Sequence, residues 1–522
     1  MAIASVEDYI RLIPSRHALI LSTVSVLSTP TVPSRAIPAM SDQTCQVATG
    51  QPSAPLGATL KPAPNFRLIA LIIASAMFME QLDATVLATA LPTMARDFGV
   101  SPPSMSIALT SYLLSLAIFI PASGRVADRF GSRTVFRTAI AVFTLGSILC
   151  AQAPNLTFLV FARLIQGIGG AMMMPVGRLV LMRSVQRKDF VAAMSWLLVP
   201  ALIGPILGPP VGGMIVTYLD WRWIFYINVP IGILGFILVS IYIEDFKGES
   251  KGRFDTLGMF LSGVSLGSLL FGFEMSSRSG EAGTSILLIA IGLVFGATYL
   301  RHARNHPSPI LDFSLMRVPS FKESVMAGSL TRITQGAQPF LLPLMLQLQF
   351  GLSAASAGGI VIATALGSML MKATAGKILK RYGFRNSLTV IGWISTLGYA
   401  LCAFFRPDWP IWLIFAILFF CGFFMSFQFT AYNIVAYDKI ERDRMSSATS
   451  FYTTFQQLML SLGICVGALA LNTSMLVQDH TDPKLGDFSV AFLVVTAISL
   501  TATIWNMRFS PSAGSDISGH QA

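Results

Sequence analysis

The chain has 522 residues, of which 53% are hydrophobic and 12% charged, against roughly 25% charged in an ordinary soluble domain. This composition excludes a soluble enzyme. The formal charge of +11, from 36 Lys and Arg against 25 Asp and Glu, is spread over short loops between long apolar runs rather than gathered in the single stripe that would mark a nucleic-acid surface.

Residues 1–65 are rich in Ser, Thr, Pro and Ala. Their best apolar stretch, 17–28, is too short and too hydroxylated to span a bilayer, and Arg16, Pro30, Pro33 and Pro38 do not suit a secretory signal. The segment reads as a disordered cytoplasmic tail, with Met40 as an alternative start of translation. From Phe66 onward fourteen apolar runs are long enough, or nearly so, to cross about 30 Å of hydrocarbon. They lie near 67–91, 105–123, 135–153, 157–182, 191–217, 223–243, 256–275, 284–302, 323–348, 354–376, 387–405, 410–436, 446–471 and 487–508. Lipid offers the backbone no hydrogen-bond partners, so such runs are helices.

The loops after even-numbered runs, together with the two tails, hold 27 Lys and Arg; the opposite loops hold 5, and four sit inside runs. Basic residues stay on the cytoplasmic side, which places both termini there. GRVADRFGSR from Gly124 recurs in weaker form as GKILKRYGFR from Gly376, 252 residues later and again just after the second run of its half. The organisation expected is an all-α polytopic membrane protein: six helices over 66–243, two linking helices over 244–318, six helices over 319–508 and a cytoplasmic tail over 509–522. The linking helices carry few polar residues and read as structural. Cys45, Cys150, Cys402, Cys421 and Cys465 show no paired spacing and the five histidines are dispersed, so neither a disulfide framework nor a metal site is indicated.

In GRVADRFGSR, Gly124 and Gly131 allow a tight turn, and Asp128 is flanked by Arg129 and Arg133, which can make charge-assisted contacts that break and re-form. The motif resembles that of the major facilitator superfamily, and the chain from about 66 to 508 is similar to its fourteen-span drug/proton antiporters of the EmrB/QacA type. The resemblance implies two pseudo-symmetric six-helix halves and a conformational latch at this loop, with Asp128 pairing near Arg444. LVFARLIQGIGGAMMMP resembles the family's intramembrane arginine motif through Arg163, Gln166, Gly167, Gly169 and Gly170. GPILGPPVGG resembles its antiporter motif through Gly204, Pro205, Gly208, Pro209, Gly212 and Gly213, an element that goes with export. WRWIFYINVPIG, 221–232, is similar to the same subfamily and reads as an interfacial anchor. FMEQLDATVLATALP resembles the first-span motif with Asp83 and Thr85 kept and Ala88 in place of the usual Asn.

Glu80 and Asp83 read as the only carboxylates deep within a run, three apart and so on one helix face. Buried carboxyls resist ionisation and can hold a proton near neutral pH, the property a proton coupler needs; a structural pair neutralised by Arg163 is the plainer reading of the same residues. Arg332, Gln335, Gln338, Gln428, Asn433 and Gln456, with Gln166, are candidates for the substrate cavity and equally for interhelical hydrogen bonds. Lys372 reads as a snorkelling residue near the cytoplasmic end. The expected function is proton-coupled efflux of amphipathic drugs or toxic small molecules across the inner membrane, with protons as coupling ion and no other cofactor. The expected partners are a small-molecule substrate and the lipid bilayer, not nucleic acid; nothing indicates a periplasmic adaptor. The rivals are an organic-anion or metabolite symporter and, from another class, a membrane-embedded transferase, against which no suitable loop motif stands.

Overall fold

The computed structural model describes residues 66–185, 190–245, 254–276, 281–441 and 444–520; the 1–65 tail and Met40 lie outside the described residues. All regular elements among them are helical. The first half comprises α1 (Phe66–Phe98), α2 (Ser106–Phe130), α3 (Ser132–Ala151), α4 (Leu156–Ser184), α5 (Phe190–Tyr218), the single turn α6 (Trp223–Tyr226) and α7 (Asn228–Tyr242). A pair, α8 (Thr256–Ser276) and α9 (Ala282–Asn305), leads to the second half: α10 (Pro319–Leu348), α11 (Ala354–Cys402), α12 (Ile411–Val435), α13 (Met445–Val477) and α14 (Leu485–Trp505). Eleven helices among the described residues are long and apolar enough to cross a membrane.

The helix α11 covers two of the expected runs, and Gly383 interrupts it at φ 70°, ψ 172°. Gly131, 252 residues earlier, separates α2 from α3 at φ 94°. Side chains with a Cβ avoid both conformations, so the repeat legible in the two motif copies is also one backbone device used twice. A β-carbon on Gly131 would overlap the carboxylate of Asp245, and one on Gly383 would overlap the ring of His520.

Core packing shows where the halves meet. One cluster joins α1 (Leu91, Met94), α10 (Leu341, Met345) and α11 (Ala357, Ile360) at the end away from the basic loops. At the basic end the first half has a core of its own, with Ile73, Phe136 and Val180, and the second half another, with Leu379, Phe384 and Tyr432. The halves therefore close on each other at the far end and part toward the basic end. Where α5 meets α11 the closure is backbone against backbone: side chains added at Gly213 or Gly358 would overlap the carbonyls of Ala354 and Pro209. Gln347 donates to the Thr89 carbonyl (3.0 Å), Ala355 N–H to Thr217 Oγ1 (3.0 Å) and Ser461 to the Thr110 carbonyl (3.2 Å).

The linking pair lies outside the halves. Helix α9 buries only Ser285, Gly292 and Tyr299 and leaves Ile286, Leu287, Leu293 and Val294 exposed, as a lipid-facing helix should. Helix α8 corrects one expectation. Its Glu274 is a third deep carboxylate, 3% exposed, accepting from Ser106 of α2 and from Cys465 Sγ of α13 (3.3 Å). It lies in the last turn of its run, whose other polar side chains are Thr256 and serines, so its position in the sequence does not mark it as deep.

Candidate functional site

Asp83 is the centre of a buried polar cluster in the first half. Arg163 Nη1 lies 2.6 Å from Asp83 Oδ2, while Gln166 Nε2 (2.8 Å) and Asn228 Nδ2 (2.9 Å) donate to Oδ1. Arg163 also donates to the Ala108 carbonyl (3.2 Å) and to Gln166 Oε1 (2.7 Å), and its guanidinium sits 4.3 Å from the centre of the Tyr112 ring. Ser147 Oγ accepts from Gln166 (2.8 Å). Asp83 is 3% exposed, Arg163 1% and Gln166 fully buried. An ion pair taken out of water survives only when its remaining donors and lone pairs are satisfied, and here four helices supply them. Snorkelling of Arg163 is ruled out, since its charge is held inside the bundle. Glu80, one turn toward the basic end, is also buried, and its Oε2 has no hydrogen-bond partner.

The opposite side of α1 faces a cavity of about 300 Å³ between the halves. Ala84, Thr85, Ala88 and Thr89 line it with Pro205, Ile206 and Pro209 of α5. The second half contributes Gln338, Leu342 and Pro343 of α10, Thr364, Ser368 and Lys372 of α11, and Met425 of α12. The glycines of the antiporter motif form a stripe beside this wall. Gly204, Gly208 and Gly212 pack on Gln81, Thr85 and Thr89 of α1, where a β-carbon at Gly212 would come 2.6 Å from Thr89 Oγ1. Matching spacings of four residues let the two backbones run close together, while Pro205 and Pro209 turn toward the cavity.

Of the candidate cavity residues only Gln338 lines it. Gln166 belongs instead to the Asp83 cluster, because its position on α4 faces α1 and α3. Arg332 is buried, donating to Tyr452 Oη (3.0 Å) and Gln456 Oε1 (3.4 Å), with Tyr452 and Phe429 rings against its guanidinium. Gln335 donates to the Met425 carbonyl (3.4 Å), Asn433 to the Phe429 carbonyl (2.7 Å), and Gln428 is fully buried. Lys372 is a correction in the other direction, since it lines the cavity. Its side chain is exposed.

At the latch loop, Asp128 pairs with Arg183 at the end of α4 (2.9 Å) and not with Arg444. Arg444 pairs with Asp312 (2.7 Å) and meets Ser314, in the segment after α9. Arg133 donates its backbone N–H to Asp245 Oδ1 (3.2 Å) and its guanidinium to the Ser240 carbonyl; Gly124 and Arg129 are exposed. The loop thus ties α2, α3, α4 and the end of α7 together within one half. Burial raises the Asp312 carboxyl, but hydrogen bonds from Ser314 and Arg444 outweigh it and hold the group below the usual carboxylate range.

Two features have weak sequence signals. Asn228 sits in the stretch expected to anchor the interface, yet its side chain completes the Asp83 cluster; an amide at the start of an apolar run is the only hint. The histidines are not all dispersed in space: His302 Nε2 lies 2.7 Å from the buried Asp255 Oδ1, and the His302 and His306 rings are 5.2 Å apart. Burial raises the Asp255 carboxyl, and the hydrogen bonds from His302 and the Gly258 N–H bring it below the usual range.

Comparison with known proteins agrees with this architecture. Residues 73–464 and 324–517 match the family model of the Major Facilitator Superfamily. The chain is 36% identical over 428 residues to the multidrug resistance protein MdtD of Citrobacter koseri, covering 81% of this chain and 89% of that protein. It is 36% identical over 441 residues to MdtD of Pectobacterium atrosepticum, covering 83% and 94%. In fold it is similar to the nucleoside transporter NupG (TM-score 0.57, 16% identity, 85% and 100% covered) and to the POT family transporter PepTSo (TM-score 0.62, 13% identity, 84% and 96% covered). The chain belongs to the Major Facilitator Superfamily and is a multi-pass membrane transporter of small molecules.

Proposed function

We propose that the protein exports amphipathic drugs or toxic small molecules across the inner membrane by alternating access, in exchange for protons. The relatives that bear a multidrug resistance name support the direction and the cargo class. The observation that carries the mechanism is the double use of α1, with Asp83 in a buried ion pair on one side and Ala84, Thr85, Ala88 and Thr89 on the cavity at the other. A proton reaching Asp83 removes the charge that Arg163 needs, so the cluster must rearrange. Because α1 also rests on the α5 glycine stripe, and α5 meets α11 at the seal, that rearrangement reaches the closure between the halves. Glu80 is a second proton carrier on the same helix.

The 27-to-5 distribution of basic residues supports cytoplasmic termini, which makes this form open to the cytoplasm and closed outside. Fourteen crossings are supported if α11, broken at Gly383, counts as two and the proline-bearing α5 and α10 each count as one. The two halves at 66–243 and 319–508 then move about the cavity, with α8 and α9 riding on the outside.

The test is transport in proteoliposomes with an imposed pH gradient. The wild type should move an amphipathic dye against the direction of proton flow. Asp83→Asn should lose that drive yet retain dye-for-dye exchange at zero gradient. Dye moving with the protons would make the protein a symporter, and full coupling in Asp83→Asn would remove Asp83 from the mechanism.

A further inference from the structure

We infer that the cavity selects cargo carrying a negative charge on an apolar body, with Lys372 reading that charge. The inference rests on the export reading for the direction of movement and adds the class of cargo. Lys372 is the one charged side chain on the cavity wall, and among the described residues no carboxylate lies within ion-pair distance of its ammonium. Asp83 is committed to Arg163, and neither Asp83 nor Glu80 lines the cavity.

The neutral polar groups point the same way. Thr85, Thr89, Thr364 and Ser368 donate their hydroxyl hydrogens to carbonyls of their own helices. The donor left over at the wall is the Lys372 ammonium. A site offering one uncommitted positive charge on an otherwise apolar wall favours an anionic head and penalises a cationic one. The remaining wall, of alanine, proline, leucine and methionine, suits a compact apolar body, and the volume lies at the lower end for small-ligand sites.

The experiment compares three dyes of differing charge: fluorescein (anionic), Nile red (neutral) and rhodamine 6G (cationic). Binding is read by fluorescence anisotropy on the purified full chain, and export in proteoliposomes. Wild type should bind fluorescein at least tenfold more tightly than rhodamine 6G. Lys372→Met should lower the fluorescein-to-Nile red affinity ratio at least tenfold, Lys372→Arg should restore it, and Lys372→Glu should reverse the order of fluorescein and rhodamine 6G. Wild type preferring rhodamine 6G, or an unchanged ratio in Lys372→Met, overturns the inference; the wild-type order decides by itself should the variants fail to insert. Selective binding of fluorescein without export of any dye leaves the charge assignment standing and removes the export reading.

Discussion

At the 252-residue offset Glu80 falls on Arg332 and Asp83 on Gln335. The two halves share the glycine break at Gly131 and Gly383, yet the first buries a carboxylate against Arg163 while the second buries an arginine among Tyr452, Gln456 and aromatic rings. Of the equivalent positions, Glu80 and Arg332 carry opposite chemistry. A charge whose counter-charge is fixed beside it is stranded when that partner goes; one held by neutral dipoles and ring faces is not.

The largest effect expected is therefore in the first half. Asp83→Asn or Arg163→Gln leaves a charge stranded in the bundle and should cost about 3–5 kcal/mol, seen as a lowered melting temperature of the purified protein, while the double variant should cost less than the worse single one. Arg332→Gln gives up hydrogen bonds without stranding a carboxylate and should cost about 1–3 kcal/mol. Equal losses at Arg163 and Arg332 would erase the contrast between the halves.

The glycine pair sharpens the comparison at smaller scale. A Cβ in the left-handed region costs roughly 1–2 kcal/mol by itself, and at Gly131 it also meets Asp245, which the Arg133 N–H and Thr134 hold in place. At Gly383 it meets His520, close to the chain end. Gly131→Ala should therefore destabilise more than Gly383→Ala, and removing residues 510–522 should relieve part of the second defect and none of the first. Thermal unfolding of the four proteins checks this.

The smallest effect concerns acid. Asp255 and Asp312 are held below the usual carboxylate range, so their contribution to stability is fully present above an unfolded value of about 3.9 and is lost as pH falls through the folded values. The melting temperature should be insensitive to these groups between pH 5 and 7 and decline below about pH 4, with a shallower decline in Asp312→Asn and Asp255→Asn. Both carboxylates flank the linking pair, so limited proteolysis in acid should open that region before either half.

Much of the fold was legible because hydrocarbon imposes one rule, long apolar runs, and because the repeated glycine motif marks its own register. Asp83 and Arg163 stood out as costly charges in such runs. What the sequence could not show is which side of a helix faces what. With apolar residues on every side, periodicity does not separate lipid from cavity, so it cannot place Gln166 in the Asp83 cluster rather than at the substrate, or Lys372 on the cavity wall. Contacts such as Asn228 with Asp83, 145 positions apart, Glu274 with Cys465, 191 apart, or Asp128 with Arg183, 55 apart, have no local signature.

The backbone-to-backbone closure at Gly213 and Gly358 has an electrical consequence. A seal made of side chains can lose one and reshape, but here the smallest added group would sit on a carbonyl and hold the outer ends apart while the inner ends remain parted. Gly358→Val would then turn a carrier that is open on one side at a time into a pore with a standing conductance. Cells producing it would lose membrane potential in proportion to its abundance, even with no cargo present.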